Sequence, residues 1–161
     1  MKPVLVLLAA SYAGAAVGTW WLSGFLPPFL IPDVPFLAIV YAGLFMPGAT
    51  GFLVALAAAF LREIVSSGPP WSFFLASLAL FFLAREVGLR LFVRMESFIV
   101  ATVGGLLLLE SVSVSGLLLL SGSRPFSLLW AAGEAVRIAW TSLLAVPLYM
   151  DLSDRRQRVR E

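Results

Sequence analysis

The 161-residue chain contains no cysteine and no histidine. Without cysteine there is neither a disulfide framework nor a thiolate metal site. Without histidine the common imidazole ligand and the usual neutral-pH general base are gone as well. Conventional hydrolytic and redox chemistry lose most of their tools. Charge is also scarce: Asp, Glu, Lys and Arg make up 12% of the residues against 61% hydrophobic, and mean hydropathy is +1.00. That leaves too little polar surface to cover a soluble globule of this size. The composition describes an all-α integral membrane protein, a single domain over residues 1–161 with no soluble catalytic module, because apolar runs consume nearly all of the length. Nothing in the charge pattern points to nucleic acid.

What is present is a series of six apolar segments, at about 3–22, 32–46, 48–65, 71–88, 97–120 and 126–150, followed by a basic tail at 151–161. A run of about 20 residues crosses roughly 30 Å of hydrocarbon as a helix. In the first segment Ala10, Gly14 and Gly18 form a small-residue stripe that suits packing within the bundle or, as the weaker alternative, docking of another protein's helix. Ala9, Ala10, Ala13 and Ala15 lie mid-run, so this span reads as uncleaved. Trp20 and Trp21 at its end suit the membrane interface. Four prolines and Asp33 between Ser23 and Pro35 read as an outer loop leading to a short second helix. The third segment is expected to organise the chain. Its Gly48, Gly51, Ala55 and Ala58 or Ala59 let neighbouring backbones approach, and it carries Arg62 and Glu63 before the Ser66–Pro70 turn.

Orientation follows from the cations. Six spans put Lys2, the Arg85–Arg94 loop and Arg155, Arg156, Arg158 and Arg160 of the tail on one side, leaving Arg124 in the loops of the other, so both termini are expected in the cytoplasm. Beyond its topological role, such a tail attracts anionic membrane lipids or an acidic partner.

The charges inside the spans are the most informative residues. Counting helical rise from the cytoplasmic ends places Arg62, Glu110 and Arg137 in one layer, about 20 Å in. An unpaired charge there costs about 2.5–3.5 kcal/mol even on a lenient scale, so Glu110 is expected to pair with Arg137 or Arg62, with Arg137 favoured because the short SGSRP turn joins their helices. Glu134 lies one turn from Arg137 on the same face. Ser111, Ser113 and Ser115 would line a small polar cavity around Glu110, and Glu63 points away, toward the outer loop. Three functions compete for this layer. It can be a network that fixes helix packing, a solute or ion pocket with Trp130 and Trp140 as converging aromatics, or, least favoured, an intramembrane acid–base site lacking any nucleophile or metal set.

PDVPFLAIVYAGL (32–44), the Gly-rich third helix running into FLREIVSSGPPWSFFLAS, and the closing VPLYMDLSDRRQRVR resemble, in that order and over nearly the whole chain, the bacterial rod shape-determining MreD family. Glu63 occupies the family's acidic position, whereas Arg62 and the Pro69, Pro70, Trp71 turn depart from its pattern. The resemblance implies a non-enzymatic, cofactor-free member of the cell-elongation machinery in the bacterial cytoplasmic membrane. Its partner would be an MreC-like single-span protein and, with it, the MreB filament, the RodA-type peptidoglycan polymerase and its transpeptidase. The same family is similar in fold to the six-helix substrate-binding subunits of energy-coupling-factor vitamin transporters, which makes such a subunit the alternative reading.

Overall fold

The computed structural model describes residues 2–18, 24–25, 30–46, 48–66, 70–90, 96–120 and 127–158. Among them there is no strand; six helices follow in order, α1 (Lys2–Ala16), α2 (Val34–Phe45), α3 (Gly48–Val65), α4 (Ser72–Arg90), α5 (Glu96–Leu120) and α6 (Leu128–Arg158). Segments of four of them, Gly48–Val65, Ser72–Arg90, Glu96–Gly116 and Leu128–Met150, are long and apolar enough to cross a membrane. Trp20, Trp21, Pro69, Arg94, the SGSRP turn with Arg124, and Arg160 lie outside the described residues.

The organising helix is α2, a correction to the expectation that α3 plays this part. VPFLAIVYAGLF has no polar face, and a helix apolar all round must be covered all round. Residues Pro35 to Gly43 are all buried, under α1, α3, α4 and α6. Twelve residues rise only about 18 Å. Shortness is tolerable in a helix whose neighbours are other helices rather than lipid. Asp33 starts it as N-cap, accepting from Phe36 N at 2.9 Å, with Pro35 in the first turn where its missing N–H costs nothing.

Small residues set the approach distances. A Cβ on Gly14 would stand 2.6 Å from Val34 Cβ, and one on Gly18 2.9 Å from Ile31 Cγ2, so the α1 stripe is filled from within the chain rather than open to a partner's helix. Ala10, on the same stripe, is partly buried. Gly51 lies against the Ala42 carbonyl oxygen. Gly48 does not belong to the packing face: it opens α3 at φ +28° with nothing near its missing side chain. Its role is the left-handed turn.

Tyr149 pins α6 to α2, donating to the Leu37 carbonyl at 2.8 Å while its ring meets Tyr41 and Phe45 edge-on at 5.2 and 5.8 Å. The tail is not a separate polar segment at its start, since α6 continues through Pro147 to Arg158. At 31 residues it is about 46 Å long, more than the roughly 30 Å of a bilayer's hydrocarbon core.

Candidate functional site

Arg62 stands one turn before the end of α3 and is 6% exposed. A guanidinium offers five N–H groups in a fixed fork, and here every one is taken. Nε and Nη2 donate to Asp33 Oδ2 at 3.0 and 2.6 Å, Nη1 and Nη2 to Glu110 Oε1 and Oε2 at 2.5 and 2.8 Å, and Nη1 also to Ser77 Oγ at 2.9 Å. The rings of Phe36 and Phe73 lie 5.1 and 5.9 Å from its Cζ. One side chain thus ties together the start of α2, the end of α3, the first turns of α4 and the middle of α5. The two carboxylates give this group one excess negative charge, which the positive N-terminal end of α2, with Phe36 N–H on Asp33, helps to offset.

Glu110 therefore pairs with Arg62 and not with Arg137, a correction to the favoured pairing. The short connection between α5 and α6 makes them neighbours, but Glu110 turns to the buried interior, its side chain 1% exposed. Arg137 instead bonds Glu134 at 2.9 Å, one turn away on its own helix, both side chains about one-fifth exposed. Glu134 also accepts from Ser111 Oγ at 2.9 Å. No family model, curated protein or solved structure matches the chain. Geometry alone assigns the roles.

The serine cavity expected around Glu110 does not form as drawn. Ser113 and Ser115 donate back to the Leu109 and Ser111 carbonyls at 2.8 and 2.5 Å, the usual retreat of a hydroxyl in an apolar helix. Trp140 is 46% exposed, whereas Phe36 and Phe73 bring their rings to Arg62.

Asp33 and Ser77 are the members that sequence reasoning missed. Set among four prolines, Asp33 reads from sequence as outer loop and entry to the second helix, with nothing to join it to Arg62. The Pro-Asp-x-Pro pattern marks the helix start but does not say which side chain the carboxylate meets across the bundle. Ser77 has no signal, since a serine in an apolar helix commonly bonds its own backbone.

Glu63 belongs to a different structure. Its carboxylate accepts from Trp71 N at 2.5 Å and Phe74 N at 3.0 Å, capping α4 from the neighbouring helix. Trp71 sits at φ +67°, which bulky residues rarely adopt. Losing two capped N–H groups predicts that Glu63→Ala destabilises by about 1–2 kcal/mol, with Glu63→Gln recovering part. Thermal unfolding of the purified variants checks this; equal stability of Glu63→Ala and wild type contradicts it.

Proposed function

We propose that this chain is a non-enzymatic scaffold of the bacterial cell-elongation machinery. In this reading it is a multi-pass protein of the cytoplasmic membrane with six spans and both termini inside, and it binds an MreC-like single-span protein. The observation that carries the scaffold part is the closure of the Arg62 group on itself: a cation whose five donors are all bonded to its own protein is architectural. The resemblance in the Pro-Asp helix start, the Gly-rich third helix and the basic tail supplies the partners, including the MreB filament, the RodA-type polymerase and its transpeptidase. Because the small-residue stripe of α1 is filled internally, the surfaces left for partners are outward apolar side chains such as Leu53, Phe60 and Leu75, and the end of α6.

Affinity purification from native membranes tests the proposal. The expected co-purifying proteins are a single-span coiled-coil protein and peptidoglycan-synthesis enzymes, and depletion should turn rods into spheres. Co-purification of a paired ATPase instead, with normal shape on depletion, supports the alternative of a vitamin-type transporter subunit.

A further inference from the structure

Arg137, Thr141, Ala145 and Tyr149 recur at every fourth residue of α6 and so lie along one face, the face that meets α2 where Tyr149 donates to the Leu37 carbonyl. Among the described residues, Arg137 Nε and Thr141 Oγ1 on this face are buried without a hydrogen-bond partner. Thr141 is completely buried at 0% exposure. Its neighbour Ser142 donates to the Ile138 carbonyl at 2.6 Å; Thr141 makes no such bond to its own helix. Two unmet donors a single turn apart, in an interior where an unmet donor is costly, point to a shared acceptor.

We propose that Arg137 Nε and Thr141 Oγ1 together hold one uncharged oxygen in the seam between α2 and α6, from a water molecule or from the hydroxyl or carbonyl of a small polar molecule. Local charge selects an uncharged group. Asp33, Glu110 and Glu134 outnumber Arg62 and Arg137 by one, so an anion would enter against excess negative charge. A metal cation would face N–H and O–H donors, and no group of three His, Cys, Asp or Glu side chains suited to a metal occurs among the described residues. Access is available at the outer end, where Glu134 and Arg137 remain 22% and 21% exposed. The site does not depend on the scaffold reading and would serve a transporter subunit equally.

The test is a structure of the full chain in lipid nanodiscs at a resolution that shows waters, together with melting of Thr141→Val and Thr141→Ser. Density within about 3.2 Å of both atoms is expected, with Thr141→Ser melting like wild type and Thr141→Val lower. A single round peak identifies water; elongated density, with a matching small molecule in the mass spectrum of an organic extract, identifies a solute. The proposal is overturned if Thr141→Val melts at or above wild type, as removal of an unmet hydroxyl would produce. It is equally overturned if both atoms are found bonded to protein groups with no density between them.

Discussion

Arg62→Leu should be the most damaging single substitution in the chain, at about 3–5 kcal/mol, the range for breaking a buried ion pair from one side. The loss is larger than the guanidinium's own contacts suggest because of what stays behind. Glu110 and Asp33, with side chains 1% and 16% exposed, would remain without their cation. Against a total stability of order 5–15 kcal/mol, that is enough to deplete the folded protein. Arg62→Lys should recover only part, since an ammonium has three donors and cannot fork between two carboxylates and Ser77. Arg62→Leu combined with Glu110→Leu should recover much of the loss, two apolar groups replacing a desolvated pair, with Asp33 still bonded to Phe36 N as the cap of α2. Joining Glu110→Ala to Arg137→Leu should give additive losses with no recovery, because each has a different partner. Thermal unfolding in one detergent across this set decides the matter. Recovery in the Glu110 and Arg137 pair, or a stable Arg62→Leu, would show that the charges are wired differently.

Gly43→Val is expected to follow, near 3 kcal/mol, the upper end of the usual overpacking cost. A Cβ at Gly43 would stand 2.8 Å from the Phe81 carbonyl oxygen and 2.8 Å from Ala84 Cβ, and one at Gly88 2.9 Å from the Leu44 carbonyl oxygen. At this crossing α2 and α4 meet backbone to backbone, so the strain cannot be relieved by turning a flexible side chain. Gly105, on α5 with nothing within 4 Å, is the matched control: Gly105→Val should unfold close to wild type. Equal melting temperatures for the two valine variants would contradict the assigned contact.

Both predictions concern residues whose importance the sequence conveyed unequally. The helical membrane class, the six apolar segments and the common depth of Arg62 and Glu110 were legible, because composition sets the solvent and helical rise converts residue number into distance. The shortness of the second segment was legible too, yet its meaning was not. An element apolar on every side has no periodicity to say which neighbours cover it, so the centrality of α2 emerged only from packing. In the same way, Gly43 looks like any glycine in an apolar run until Phe81 and Ala84 come against it.

Pairing among the charges was decided by tertiary structure alone. From sequence, Arg62 and Arg137 were both available to Glu110 at equal depth, and chain proximity favoured Arg137. Rotation about the helix axis settled the choice, turning Glu110 inward to a guanidinium that the α2 N-cap already held on its other side. Sequence by itself determined that charges at this depth must find partners, since an unpaired one is too costly. Which partners they found depended on helix azimuth and on the arrival of Asp33 from a residue that sequence placed in a loop, and neither is encoded within any single segment.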